Sequence, residues 1–283
     1  MFPLMIGPTA SYSGFLSERL PLPYDDYRRT LNIVAHQDDD LLFLNPEIIN
    51  DISIGRGVRT VFLTAGDAGL DSDYWTGRQN GTLAAYASMA GVDDDWDESD
   101  LDIPDGDLCL YTLKDQDDVS LIFLHLPDGS ADGNGFPSTG NETMEKLWKR
   151  AISAIGTVDD SDAVYTRDSL VDTLTWIIDD YNPHALNAQN YLDDFGTGDH
   201  SDHTAGALFA NEAAKQSCFE GAVTAYFGYE SSAFQRNVLG EDLEAKKKAF
   251  YLYAEFDPEA CSSDRECAGT VYEPWLQREW PRN

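Results

Sequence analysis

The chain has 283 residues and a mass of 31.4 kDa, which is enough for one large domain with a full hydrophobic core. Asp and Glu number 51 against 19 Lys and Arg, and the net charge of −32 excludes nucleic-acid binding because it repels phosphate backbones. The same charge argues against docking on anionic membranes. No apolar run approaches the ~18 residues of a membrane-spanning helix.

The acidity comes mainly from aspartate: 36 Asp accompany 15 Glu, and only 7 of the basic residues are Lys. Asp-rich, Lys-poor surfaces are typical of proteins in high salt, where charge is screened, and of secreted proteins that stay soluble. Residues 1–15 lack the basic region and long apolar run of an intact signal peptide. They predict the start of a mature or trimmed chain.

The chain has four cysteines, which bear on whether the protein is secreted. None of them forms a CxxC pair, which argues against a zinc ribbon or a thioredoxin-like site. The even count fits two disulfides. Cys261–Cys267 is the more credible pair, which leaves Cys109–Cys218, and four reduced cysteines are the alternative. We expect a secreted, extracellular protein or one from a high-salt environment.

Strand and helix patterns alternate along the chain. Apolar runs bounded by turn residues predict strands at 31–36, 58–64, 120–126, 184–189 and 221–229. Helical spacing predicts helices at 82–90, 142–155, 169–181, 203–217 and 242–256. The alternation predicts an α/β fold with a Rossmann-like, mostly parallel sheet and helices on both faces.

The rest of the chain carries no signal for a second domain. Residues 93–107 and 127–140 are polar and predict inserted loops, and no internal repeat or clear linker appears. We therefore expect a single domain over residues 1–283, with a tail at 258–283 that wraps the body.

The first chemical signal follows the first predicted strand. His36, Asp38, Asp39 and Asp40 stand where the strand ends, and the carboxyl ends of strands are where open α/β sheets bind ligands. An imidazole and a carboxylate three residues apart are good ligands for a divalent metal. A solvated acidic turn is the alternative interpretation.

A second signal lies some 160 residues later. His200 and His203 flank Asp202 just before a predicted helix, and they are two of only five histidines in the chain. Two histidines at this spacing can face one point, and an Asp can orient one ring. Together the two clusters supply the ligand types of a catalytic metal site with an open position.

These motifs resemble those of the LmbE-like/PIG-L family of metal-dependent N-deacetylases. The family's Ala-His-Pro-Asp-Asp-Glu motif corresponds to AHQDDD at 35–40, and its His-x-Asp-His motif corresponds to 200–203. The segments TAGDAG at 64–69 and YWTGR at 74–78 are also similar. The resemblance covers about residues 28–230. Gln37 and Asp40 depart from the family's Pro and Glu, at positions without a metal-binding role in its pattern.

The resemblance implies a role for each motif residue. His36, Asp39 and His203 would bind Zn²⁺ or another divalent cation, and Asp38 would act as general base. His200 would stabilise the oxyanion as an imidazolium and protonate the leaving amine, with Asp202 holding it charged and oriented. The implied substrate is an N-acetylated sugar or glycoconjugate of the N-acetylglucosaminyl type.

Some residues have two interpretations. Asp67 and Arg78 could contact sugar hydroxyls or phosphate in the substrate. Alternatively, each could have a structural role, as a loop-stabilising hydrogen bond or a surface ion pair. His125 either lines the pocket as a substrate contact or is structural. The segment that begins at Asp128 resembles the start of a calcium loop, but Thr139 stands where Glu is needed, so it predicts a turn.

Three other functions compete with the hydrolase. Two histidines and one carboxylate also hold ferrous iron in oxygenases, although Asp38, placed as a base, favours hydrolysis. A non-catalytic carbohydrate-binding protein would keep the aromatic residues without needing the Asp38–Asp39 pair. A dehydrogenase is disfavoured because no GxGxxG follows the first strand.

Overall fold

A mixed sheet forms the centre of the computed structural model, which describes residues 28–103 and 106–282. The described strands are β1 (Arg29–Val34), β2 (Gly57–Thr64), β3 (Trp96–Ile103), β4 (Gly106–Leu113), β5 (Val119–Leu126), β6 (Ala154–Gly156), β7 (Val164–Thr166), β8 (Ala185–Gln189), β9 (Val223–Tyr226) and β10 (Pro281–Arg282). Eight form one sheet in the order β10-β9-β8-β1-β2-β5-β4-β3, and β6 pairs with β7. The β9-β8-β1-β2-β5 portion is parallel, which confirms the predicted mostly parallel sheet.

Helices cover both faces of this sheet. They are α1 (Asp39–Phe43), α2 (Glu47–Ser53), α3 (Ser72–Ala90), α4 (Met144–Trp148), α5 (Arg167–Tyr181), α6 (Ser201–Gln216), α7 (Gly240–Ala254), α8 (Asp264–Cys267) and α9 (Tyr272–Leu276). Successive side chains of a strand point to opposite faces. Ile33 of β1 therefore packs in the core under α4, α5 and α6, while Val34 packs in the core under α1, α2, α3 and α7.

The predicted helix at 142–155 is wrong in its second half. Helix α4 ends at Trp148, Arg150 adopts a φ of 57°, and Ile155 lies in β6, paired with Tyr165. A short apolar run fits the period of a helix or of a strand, and here the pairing with β7 decides. The other predicted helices are present, and α3 begins ten residues earlier than the 82–90 pattern indicated.

The polar stretch at 93–107 contains a strand, contrary to the predicted loop. Strand β3 pairs antiparallel with β4 at the edge of the sheet, and its exposed side chains include Asp97, Glu98, Asp100 and Asp102. An edge strand buries little and is protected by charge, so its sequence lacks an apolar pattern. Residues 104 and 105 of this stretch lie outside the described residues, as does the opening segment 1–27.

The C-terminal segment packs on the body beside α1. Lys246 of α7 is fully buried, and its Nζ donates to the carbonyls of Leu42, Trp275 and Arg278 at 2.6, 3.2 and 2.6 Å. These bonds join α7, the end of α1 and the segment around α9. The C-terminal segment thereby reaches the helix that follows β1.

One of the two expected disulfides is present. Cys261 and Cys267 are bonded, whereas Cys109 and Cys218 are free, so the expected second pair is wrong. Cys109 lies on β4 near one edge of the sheet, while Cys218 follows α6, which packs on β8 and β9. In the described part of the chain, no helix has both the length and the apolar character that crossing a membrane requires.

Candidate active site

The site lies where the strand order changes direction. Strand β1 has β2 on one side and β8 on the other, and the loops after β1 and β8 leave the same edge of the sheet. Crevices of this kind are where open α/β sheets bind ligands. The loop after β1 supplies His36 and leads to Asp39 at the start of α1, and the loop after β8 supplies His200 and leads to His203 in α6.

Local structure sets the position of each residue. The Asp39 carboxylate turns back and accepts a hydrogen bond from the backbone N–H of His36 at 2.6 Å, which holds the two side chains together at the start of α1. His200 is the N-cap of α6, where its Nδ1 accepts from the N–H of Asp202 at 3.1 Å. His203 therefore lies in the first turn of α6.

Three buried imidazoles converge in this crevice. Ligand atoms of His36, His200 and His203 all lie within 4.8 Å of one another. Asp39 contacts two of the rings, with Oδ2 lying 3.1 Å from His36 Nδ1 and Oδ1 lying 2.9 Å from His203 Nε2. The structure thus brings the two sequence motifs together.

The donor set suits a divalent cation. Nε2 of His203 is buried and makes no hydrogen bond with any described residue, although it faces Asp39. A buried ring nitrogen without a partner is costly unless a ligand binds it. Imidazole nitrogens and carboxylate oxygens in one pocket are the donors that Zn²⁺ and related ions take. These residues therefore fit the metal that the motifs implied.

Asp199 orients His203, although neither sequence motif includes it. Its Oδ1 lies 2.8 Å from His203 Nδ1 and 3.0 Å from the backbone nitrogen of Tyr229, which donates to it. A carboxylate only accepts, so the Nδ1 proton of His203 points at Asp199 and Nε2 is left free to bind a metal. The only signal in the sequence was its place directly before the His-x-x-His pair.

Asp202, the predicted orienter of His200, has other partners. Its Oδ2 accepts from the N–H of Gly129 at 2.7 Å and lies 3.3 Å from His36 Nε2, but 3.8 Å from His200 Nδ1. A side chain at position 129 would collide with it, because a Cβ there would lie 2.5 Å from Asp202 Oδ1. Asp202 therefore supports His36 and the loop after β5.

The surroundings of His200 disfavour the predicted imidazolium. Burial, together with the charge of His36, lowers the pKa of His200 to about 4. Since Nδ1 accepts from a backbone N–H, the ring proton is on Nε2. Burial alone would lower the pKa of His36 and of His203 too, but the carboxylates around those rings raise both.

Asp38 is held by Arg78 at the wall of the pocket. Arg78 Nη2 donates to Asp38 Oδ1 at 2.7 Å, and its Nη1 donates to the carbonyl of Gly66 at 2.7 Å. Gly66 has a φ of 56°, and a Cβ there would lie 2.1 Å from Nη1, so only glycine allows this approach. Burial raises the pKa of Asp38, and the guanidinium opposes that shift. Arg78, a predicted sugar contact, thus anchors Asp38.

Asp128 belongs to the site, although its sequence context predicted only a turn. Its carboxylate lies 3.9 Å from His36 Nε2 and 3.8 Å from His200 Nε2. Asp67 supports it from behind by accepting the backbone N–H of Asp128 at 2.8 Å. Asp128 follows the end of β5 by two residues, and β5 neighbours β2 in the sheet, so strand order was the available signal.

Two predicted substrate contacts lie apart from the histidine cluster. His125 faces Asp159 through Nδ1 at 3.0 Å and Gln79 through Nε2 at 2.7 Å, and it does not line the cavity at the cluster. Asp67 lines a separate cleft of about 500 Å³ with Trp75. Asp67 therefore lies in a loop beside the site, and His125 lies near the end of β5.

A cavity of about 400 Å³ opens at the cluster. Part of its wall is lined by residues of the two motifs together with Arg78 and Asp128. The rest of its wall is formed by Tyr74 and by residues far along the chain, namely Tyr229, Asp257, Glu259, Val271, Tyr272 and Trp275. The cavity has the size of a small-molecule site.

The fold and the site define a Rossmann-like α/β protein with a carboxylate–histidine centre at its switch point. The chain belongs to the PIG-L family, since residues 31–214 match the family model described as GlcNAc-PI de-N-acetylase. A comparison with curated proteins found no match.

Solved structures are similar in fold. N,N'-diacetylchitobiose deacetylase from Pyrococcus horikoshii is 16% identical with a TM-score of 0.50, over 90% of this chain and 77% of that one. The 4-carboxy-2-hydroxymuconate hydratase GalB from Pseudomonas putida is 12% identical with a TM-score of 0.47, over 88% and 82%. A zinc-inhibited form of teicoplanin deacetylase Orf2 is 14% identical with a TM-score of 0.48, over 80% and 84%. At 16% identity, the likeness to the deacetylase from Pyrococcus horikoshii shows the fold alone.

Proposed function

We propose that this protein is a metal-dependent N-deacetylase that hydrolyses the acetamide of an N-acetylglucosaminyl-type sugar. The observation that carries the proposal is the position of Asp38, which lines the cavity directly beside the imidazole cluster. A carboxylate next to a metal-ligand set is the arrangement that activates water for hydrolysis. Membership of the PIG-L family supports the same reaction.

His36, Asp39 and His203 would hold the cation, which we propose to be Zn²⁺, with another divalent ion as the alternative. When bound, such an ion lowers the pKa of a water molecule and polarises an amide carbonyl. Asp199 fixes the tautomer of His203, and the Asp39 carboxylate offsets positive charge at the centre.

The protein's own residues move the protons. Asp38 takes a proton from the attacking water while Arg78 holds its Oδ1, which leaves Oδ2 facing the cavity. His200 presents Nε2–H to the oxygen on which negative charge develops. The C–N bond then breaks, the amine nitrogen receives the proton from Asp38, and acetate and the free amino sugar leave.

The test is release of amine and acetate from a panel of N-acetylglucosaminyl compounds, with the metal content of the protein measured in parallel. Turnover should disappear with a chelator and return when the metal is restored. Sugar binding without amine release would instead indicate a carbohydrate-binding protein. Turnover that requires iron, oxygen and a keto acid would indicate an oxygenase.

A further inference from the structure

The cavity wall outside the two motifs comes mostly from a part of the chain that the family model does not cover. Tyr229, Asp257, Glu259, Tyr272 and Trp275 all lie beyond residue 214, and the Cys261–Cys267 disulfide closes the loop between them. The substrate atoms beyond the acetamido group would face this wall. Its chemistry therefore bears on which sugars this particular chain accepts.

The charge lining the cavity is strongly negative. Five carboxylates line it, and Arg78 is the single guanidinium; no lysine lines the cavity in the part of the chain that the structure describes. The carboxylates are those of Asp38, Asp39, Asp128, Asp257 and Glu259. A divalent cation at the histidine cluster would offset two of these charges, so an excess of negative charge would remain.

Arg78 is not available to bind an anion. Its Nη1 and Nη2 donate to Gly66 and Asp38, while Nε donates to Tyr253 Oη at 2.7 Å and lies 3.1 Å from Asp257. Recognition of a phosphate by arginine uses parallel N–H donors that face the ligand. Here each guanidinium nitrogen already has a protein partner.

Glu259 is the free charge at the mouth of the cavity. Its backbone N–H donates to Asp257 Oδ1 at 3.0 Å, which fixes the turn that presents it. Its side chain is exposed and forms no ion pair with any described residue, unlike Asp257, which lies beside Arg78. An unpaired carboxylate attracts a cationic group and repels an anionic one.

Aromatic side chains complete the wall. Tyr229 and Trp275 are stacked with ring centroids 4.6 Å apart, and Tyr272 meets Trp275 edge to face at 5.7 Å. Val271 next to them is 59% exposed at the rim. Aromatic rings offer an apolar body to the C–H face of a sugar ring and a negative face to an ammonium group.

We propose that this cavity selects an N-acetylglucosaminyl saccharide whose neighbouring unit is neutral or carries a free amine, and discriminates against an anionic neighbour, with Glu259 as the specificity-determining residue. The inference rests on the proposed function and narrows its substrate class. On this inference the chain would not prefer GlcNAc-PI, which the family description names, because GlcNAc-PI carries a phosphate. The cavity prefers a cationic neighbouring unit, then a neutral one, then an anionic one.

The experiment compares three disaccharides of matched size at low ionic strength with the metal-loaded enzyme. N-acetylglucosamine is joined to glucosamine, to a second N-acetylglucosamine, or to glucuronic acid, and kcat/KM for acetate release is measured for each. Glu259→Gln should raise kcat/KM for the anionic disaccharide and lower it for the cationic one, each by about three- to tenfold. The neutral disaccharide should be unaffected. Salt should weaken the discrimination because Glu259 is exposed.

Glu255→Gln is the matched control, since Glu255 is exposed four residues earlier and does not line the cavity. It removes the same charge and should leave all three values unchanged. Equal rates on the three disaccharides, a preference for the anionic one, or the same effect of Glu259→Gln on all three would overturn the specificity inference alone. No acetate from any of them would overturn the proposed function, and the inference with it.

Discussion

Nδ1 of His203 and Oδ1 of Asp199 lie 2.8 Å apart, so the ring that faces Asp39 is oriented from behind by a second carboxylate. Asp199 lies four residues before His203 and also accepts the N–H of Tyr229 at 3.0 Å. It therefore links His203, a proposed metal ligand, to the aromatic wall of the cavity. Partners of this kind fix the tautomer and raise the basicity of the metal-binding nitrogen.

Replacing Asp199 with Ala should weaken metal binding about 10- to 100-fold, because His203 loses the group that keeps its proton on Nδ1. The dissociation constant can be measured by competition with a chromophoric chelator. Asp194→Ala is the control, since Asp194 is an exposed carboxylate in the same loop. Equal affinities in the two variants would show that Asp199 does not position His203.

The identity of the ligands is a separate prediction. If His36, Asp39 and His203 hold the ion, Asp39→Asn should lose it on dialysis, whereas His200→Ala should retain about one equivalent. Elemental analysis of the dialysed proteins measures this, and circular dichroism verifies that both variants fold. If His36, His200 and His203 held the ion instead, His200→Ala would lose the metal and Asp39→Asn would retain it. That result would contradict the assignment.

Asp38→Asn should keep the metal and lose most of the turnover. The amide oxygen can still accept from Arg78 Nη2, so the wall of the cavity is preserved, but the group no longer takes a proton. General-base catalysis contributes roughly 10²- to 10⁴-fold, and kcat for amine release should fall by that order. A variant that retains wild-type kcat would exclude Asp38 as the base.

Lys246→Met tests how the C-terminal segment is held. The ammonium group is fully buried and donates to three carbonyls, which methionine would leave without a donor. The free energy of unfolding should fall by about 3 kcal/mol, measured by urea denaturation. Lys248→Met, on the exposed face of the same helix, should change it by less than about 0.5 kcal/mol. Equal effects would show that the three hydrogen bonds contribute nothing measurable.

Much of the site could be predicted because parallel strands place their carboxyl ends at one edge of a sheet. His36 follows β1 and His203 follows β8, so alternation of strands and helices was enough to bring two distant motifs together. Asp128 was missed because its loop resembled a turn. The adjacency of β5 and β2, which brings that loop to the same edge, is a property of strand order.

Which carboxylate serves which imidazole could not be predicted. Asp199 precedes the histidine pair and Asp202 lies between the two histidines, and their spacing allows either to reach a ring. The course of the chain into α6 decides: Asp199 contacts His203, and Asp202 contacts His36 and Gly129. The sequence likewise allowed Arg78 to be a surface ion pair or a substrate contact. Only the structure shows that each of its three guanidinium nitrogens bonds to a protein partner.

The sequence by itself determined the α/β class, the two histidine–aspartate motifs and the PIG-L resemblance, because each depends on local periodicity or on a few neighbouring residues. The tertiary structure determined which residues form the wall of the cavity. Trp275 lies more than 200 residues from His36 and carries no motif. It reaches the site by packing on Phe43 and Tyr229, and buried Lys246 joins its carbonyl to that of Leu42. Contacts between residues so far apart in the chain depend on tertiary packing, which local sequence patterns do not specify.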